Sequence, residues 1–485
     1  MQITWWREGG QEEGCLRGVM GCYTLLHYTG VKRKDHGVNE ESWEAARLIP
    51  VSGLGGQQEK ERRAASALLA VIGSVKEFGQ AIVRALGAPA GNVSAFCEVP
   101  FELDDGRRVR VDGVLRVTRG KRVWTLLVEV KTGSAELGQE QVVAYLDVVR
   151  DQGFDGLLTI SNEIVGVAGH HPVKPSPRRL ARVPLFHLSW TKILSQALMV
   201  REHQGVSDPD QAWILGELIR YLQYEGSGAL SFDDMGRDWT AVRNAVREDT
   251  LRRSDAGVGE TVARWDQLVQ FLCLGLSARL GEVVSPVLSR KERSDPAVRV
   301  DALSWELVRA GTFSSSIRIP NAVGPISIKA NLRRMIAQAS VELDAPELGR
   351  STARLNWLLR QLKNAPEDLR IDVTFHHTRA TASELLGKVT ENPKGILAEA
   401  DHAPRSFILT LAGDVGGKRS AGHGGFITDV SALLDKFYRE VVHHLTEWTP
   451  PAPHLAPSLE DHAREAPAPK TVQELPANPE PTQSP

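Results

Sequence analysis

The segment Trp124-Thr125-Leu126-Leu127-Val128-Glu129-Val130-Lys131 constrains this chain more than any other, because it is apolar almost to its end and then carries two charges. Such a run, bounded by turn signals, reads as a central strand buried on both faces of a layered sheet. Glu129 and Lys131 stand two apart, so their side chains leave the strand on the same face. A carboxylate there costs free energy unless a partner or a metal satisfies it.

The flanking segments supply a partner. Alternation in Val109-Arg110-Val111-Asp112-Gly113-Val114-Leu115 puts Val109, Val111 and Leu115 on one face and Arg110, Asp112 and Val114 on the other. Strands are expected at 95–102, 107–117 and 122–131, separated by Asp104-Asp105-Gly106 and Arg119-Gly120-Lys121. Before them, Leu68, Ile72, Val75, Gly79, Ile82 and Leu86 recur at helical spacing over 59–86, as one helix or as two broken near Gly73-Ser74. After them, 137–151 returns to a helical period, Gly153 stops it, 156–161 reads as a short buried strand and 183–189 as a further one. Asp112 and Glu129 can then converge with Lys131, and a hard cation such as Mg²⁺ would satisfy both carboxylates.

Asp112 and the Glu129-Val130-Lys131 element resemble the signature of the PD-(D/E)xK nuclease superfamily over about residues 59–160. Val111 stands where many members carry proline. Gln141 and Tyr145, four apart on the following helix, resemble the RecB-like branch. The resemblance implies an α/β fold with a restriction-endonuclease-like αβββαβ core. It implies that Asp112, Glu129 and the Val130 carbonyl hold one or two Mg²⁺ ions, with Mn²⁺ as a substitute. Lys131 would orient the attacking water, and Gln141 and Tyr145 would hold the substrate phosphate and the lysine. It further implies an acid from the first helix, for which Glu61 and Glu77 compete; Glu61 shares the face of Leu68 and Ile72 and is preferred.

Composition bounds the remainder. A chain of 485 residues suggests about three folding units. The expected division is an unassigned extension at 1–45, the nuclease-like domain at 46–200, a mainly helical region at 201–300, an α/β or α+β accessory domain at 301–448 and a disordered Pro-rich tail at 449–485. Met20 is an internal candidate start. With 58 basic and 60 acidic side chains, any nucleic-acid surface must come from local clustering. Arg107, Arg108, Arg110, Arg116, Arg119, Lys121 and Arg122 form such a cluster in sequence. Cys15, Cys22, Cys97 and Cys273 lack the spacing of a zinc site or a disulfide framework. No apolar run reaches the roughly 20 residues of a membrane span, so a cytoplasmic protein is expected.

Other features are read as structural. Helix 351–363 carries Arg354, Arg360 and Lys363 away from its leucine face, Gly413 to Lys418 reads as a turn because Arg419 stands where a phosphate loop needs Ser or Thr, and Trp213, Trp239, Trp265, Trp305 and Trp357 read as core or interface anchors. The expected function is Mg²⁺-dependent hydrolysis of DNA, with DNA favoured over RNA, in host defence or DNA repair. A second copy of the chain or a defence-system protein would be the protein partner. The competing expectations are a DNA-binding module of nuclease-like fold that does not cut and a triggered stress-response or regulatory protein.

Overall fold

The computed structural model describes residues 43–48, 56–102, 106, 108–167, 169–176, 180, 183–229, 232–398, 402–416, 425–450 and 452. The proposed flexible arm up to residue 42 with Met20, the Asp104-Asp105 turn, Arg107 and the Pro-rich segment from 453 lie outside the described residues. The protein is mixed α/β, with two sheets and, among the described residues, 12 α-helices. It divides into two compact units, one of Met1–Lys131, Ala135–Ile160 and Val173–Phe186, the other of Thr132–Ser134, Ser161–Pro172 and His187–Pro485.

The elements that begin in the first unit are, in order, β1 (Glu44–Ala45), α1 (Gln57–Ser74), α2 (Lys76–Ala85), β2 (Asn92–Glu102), β3 (Arg108–Arg119), β4 (Arg122–Val130), α3 (Gln139–Gln152), β5 (Gly156–Ser161) and β6 (Leu185–Ser189). The strands lie in that same order across one sheet. β2, β3 and β4 form an antiparallel meander, and α3 crosses over so that β5 runs parallel to β4, pairing Glu129 with Thr159 and Val130 with Ile160. Leu126, Leu127, Val128 and Val130 of β4 are all buried, as a central strand covered on both faces requires.

The 59–86 helical period is two helices, which meet at 106°. The joint depends on Gly79, where a Cβ would lie 2.1 Å from the Ile72 carbonyl oxygen. The apolar face of α1 is thereby held on the sheet, with Leu68, Leu69, Val71 and Ile72 all buried. No single helix among the described residues is long and apolar enough to cross a membrane.

The second unit holds an antiparallel sheet of β7 (Ser285–Pro286), β8 (Thr312–Arg318), β9 (Ile326–Asn331), β10 (Ile336–Asp344), β11 (Arg370–Phe375), β12 (Thr381–Leu385) and β13 (Pro404–Asp414), in spatial order β12-β11-β13-β10-β9-β8-β7. Within the helical region read at 201–300, Val262, Trp265 and Leu272 of the helix Val258–Leu280 share one hydrophobic cluster with Phe313, Ile328, Val341 and Leu409 of the sheet. Trp265 stacks on Phe313 with ring centroids 5.1 Å apart and donates its indole N–H to Ser315 Oγ at 2.9 Å. Trp213 and Trp305 are exposed and so lie outside the core. Arg354, on the side of its helix away from the leucines, donates its guanidinium to the carbonyls of Glu347, Gly349 and Pro404 at 2.7–3.1 Å.

Candidate active site

The site begins where two strands part. The β3–β4 ladder runs from the Arg119–Arg122 pair to the Gly113–Val128 pair. One step further, the Val130 N–H donates to Asp112 Oδ2 at 2.7 Å. A backbone amide thus fixes the carboxylate against the strand that carries Glu129 and Lys131. Gly113 lets α1 come close, because a Cβ there would lie 2.3 Å from Leu69 Cδ1 and 2.9 Å from the Phe96 carbonyl oxygen.

Lys131 Nζ lies 2.7 Å from Glu129 Oε1 and 3.7 Å from Glu61 Oε2. Of the two candidate helix acids, Glu61 of α1 is thus brought to the lysine, while Glu77 lies in the first turn of α2. Gln141 Nε2 donates to Glu129 Oε1 at 2.7 Å and to the Tyr145 hydroxyl at 3.0 Å, and that hydroxyl donates to the Arg110 carbonyl oxygen at 3.2 Å. All six side chains singled out as the site, from β3, β4, α1 and α3, therefore belong to one connected cluster. The Glu129 side chain is 2% exposed, against 16% for both Lys131 and Glu61. The cluster is closed behind Glu129 and open on the side of the lysine.

The electrostatics are those of two acids forced together. Burial, then the Glu129 charge beside it, pushes the Asp112 carboxyl well above the usual carboxylate range, against the pull of the Val130 N–H and Lys131. Burial also raises Glu129, despite Lys131. Burial alone would lower the Lys131 ammonium, but Glu129, Asp112 and Glu61 outweigh it and hold it above its ordinary value. Tyr145 is raised by burial and by Glu129, so it stays a phenol that can donate.

Glu129 Oε2 is buried with no hydrogen-bond partner. Next to a second carboxylate, such an oxygen is satisfied either by a proton shared between the pair or by a cation. Among the described residues no three His, Cys, Asp or Glu side chains gather as a metal site; the donors here are the two carboxylates of Asp112 and Glu129. That set fits Mg²⁺, which typically takes one or two carboxylates and completes its octahedron with water and phosphate oxygens.

No family model, curated protein or solved structure matches this chain.

The basic residues are not gathered where their sequence proximity suggests. Arg119, Lys121 and Arg122 are exposed at the hairpin end, about 23 Å along β3 from Asp112 at roughly 3.3 Å per residue. Arg116 lies over the Trp43 ring, 4.9 Å from its centroid. Beside the cluster stand two arginines on one acid: Arg62 and Arg110 reach Glu98 Oε2 at 3.1 and 3.4 Å. Glu98 takes a left-handed backbone, φ 54°, where the β2–β3 ladder skips from the Cys97–Gly113 pair to the Val99–Val111 pair. Sequence reading missed Arg62 and Glu98. The one available signal was that Arg62 follows Glu61 directly on α1.

Proposed function

We propose that the first unit is a Mg²⁺-dependent nuclease domain of restriction-endonuclease-like architecture that hydrolyses phosphodiester bonds of DNA. The observation that carries this reading is the Asp112–Glu129 pair, in which Glu129 is buried with one unsatisfied oxygen, set beside a lysine two residues after that glutamate. Lysine beside paired acids is the equipment for phosphoryl chemistry, in which catalysis is mostly positioning and electrostatics. The order helix, three-stranded meander, helix, parallel strand supports the architecture.

Asp112, Glu129 and the Val130 carbonyl would hold the ion, which when bound supplies a lowered water pKa and draws charge from the phosphate. Lys131 Nζ, at the open side of the cluster, would hydrogen-bond the scissile phosphate and offset the charge that builds on it. Gln141 holds Glu129 in place and Tyr145 ties α3 to β3 through the Arg110 carbonyl. Glu61 balances the second side of the ammonium. Host defence and DNA repair are the settings this chemistry suits.

The test is incubation of the full chain with circular, linear and single-stranded DNA and with RNA, in Mg²⁺ or EDTA, beside Lys131→Ala and Glu129→Ala. Cleavage of DNA that needs Mg²⁺ and falls about 10²–10³-fold or more in both variants is expected. Equal cleavage by all three proteins would overturn the assignment, and tight binding without cutting in Mg²⁺ would replace it with a DNA-binding module.

A further inference from the structure

The second unit carries a cavity of about 490 Å³ lined from β8, β9, β10, β11 and β13 of its seven-stranded sheet. Strand register orders its floor. Ser316 of β8 is paired with Ser327 of β9, Ser327 with Ser340 of β10, Ser340 with Thr410 of β13, and Thr410 with Arg370 of β11. Neighbouring strands lie about 4.8 Å apart, so this row of four hydroxyls ending in a guanidinium crosses about 19 Å of sheet. Their short side chains leave the room that the cavity occupies. In the adjoining row, Lys329 of β9 stands between Ser314 and Gln338, with no acid opposite it.

Three features select the ligand. Three cations, Arg299, Lys329 and Arg370, line the cavity against one carboxylate, Asp372. Arg299 is held by Asp266 and Glu292 at 2.9 and 3.1 Å and Arg370 by Asp372 at 3.0 Å, which leaves the exposed Lys329 to meet an anion. Thr410, 5% exposed, lines the cavity floor and sets its hydroxyl beside Ser340 at the end of the serine row. Finally, the lining contains no aromatic ring and only Val287 and Ile408 as apolar side chains. It therefore offers neither a stacking platform for the bases of a nucleic-acid strand nor a slot for an apolar molecule.

We propose that this cavity binds a small phosphorylated polyhydroxy compound, of sugar-phosphate or nucleotide size, with its phosphate on Lys329 and its hydroxyls on the Ser327, Ser340 and Thr410 row. The volume lies within the roughly 300–1,000 Å³ of small-molecule sites. The site is independent of the nuclease reading, since every residue in it belongs to the second unit.

Calorimetric titration of the full chain with ribose 5-phosphate, AMP, ribose and inorganic phosphate tests it. Saturable binding of ribose 5-phosphate or AMP is expected, with none for ribose. Lys329→Met and Ser340→Leu should each weaken it about tenfold or more, while Lys329→Arg, Lys131→Ala and the melting temperature of Lys329→Met stay near wild type. Should Ser340→Leu not fold, Lys329→Met beside Lys329→Arg decides alone. Absence of saturable binding, binding unmoved by Lys329→Met, or response to inorganic phosphate only would overturn the proposal. Lys329-dependent binding of a single-stranded oligonucleotide without any of the small compounds would overturn it too, in favour of a nucleic-acid groove.

Discussion

Asp112→Asn should make the metal-free protein more stable while removing its activity. The amide oxygen can still accept the Val130 N–H at 2.7 Å, and the substitution removes the carboxylate that burial and Glu129 disfavour. The lost attraction to Lys131 offsets part of the gain, because Lys131 keeps Glu129 at 2.7 Å. Relief of one such site commonly yields about 0.5–2 kcal/mol, which in a unit of this size is roughly 1–8 °C in Tm. The sign follows from linkage. A carboxyl whose folded pKa lies above its unfolded value near 3.8 leaves stability intact below that pH and erodes it as pH rises through the folded value. Wild type and variant should therefore melt together near pH 4 and separate toward neutrality. The assay is thermal unfolding in EDTA across that range, repeated in Mg²⁺, where the order should narrow or invert because only wild type gains from the ion. An Asn variant less stable than wild type at neutral pH in EDTA would refute the idea that the pair is held under electrostatic strain.

The other expectations concern the supports of the site. Gln141→Leu removes a 2.7 Å hydrogen bond to a buried carboxylate and should cost about 1.5–3 kcal/mol at neutral pH by denaturant titration; since Glu129 is raised, the loss should shrink on acidification as that group takes up its proton. Tyr145→Phe, which frees the Arg110 carbonyl, should cost about 0.5–1.5 kcal/mol and lower the cleavage rate more than substrate affinity in steady-state kinetics. Gly79→Ala would place a Cβ 2.1 Å from the Ile72 oxygen and should destabilise by about 1–3 kcal/mol or more, visible as a lowered Tm. Removing positive charge at the hairpin tip, as in Arg122→Ala, should leave single-turnover cleavage of a short substrate nearly unchanged, whereas Arg62→Ala should slow it.

Much of the first unit was legible because its signals are local. The period of two in Val109–Leu115 and the apolar run of 124–131 predict β3 and β4, and Gly153, which takes φ 64° at the end of α3, predicts where that helix stops. The cluster of Asp112, Glu129 and Lys131 followed from strand parity and one motif. Features set by pairing partners were not legible. The Arg119–Lys121–Arg122 group is close to Asp112 in sequence yet lies at the far end of a hairpin. The helix Val258–Leu280 reads as amphipathic in isolation, but it buries Thr261, Val262, Trp265, Leu268, Val269 and Leu272 because the sheet of residues 312–414 needs a cover. The Ser316–Arg370 row exists only once four strand registers are known, since its members span more than ninety positions.

The Val130 amide is spent on a side chain where a ladder bond would otherwise be expected. Its proton therefore senses one carboxyl group and little else. In a ¹⁵N-correlated spectrum that single resonance should move with the charge of Asp112 and move again when a cation arrives, so the fold contains its own gauge of whether the site is protonated, bare or loaded. Amide exchange at the same position would report the same three states by rate, without a label near the chemistry and without substrate.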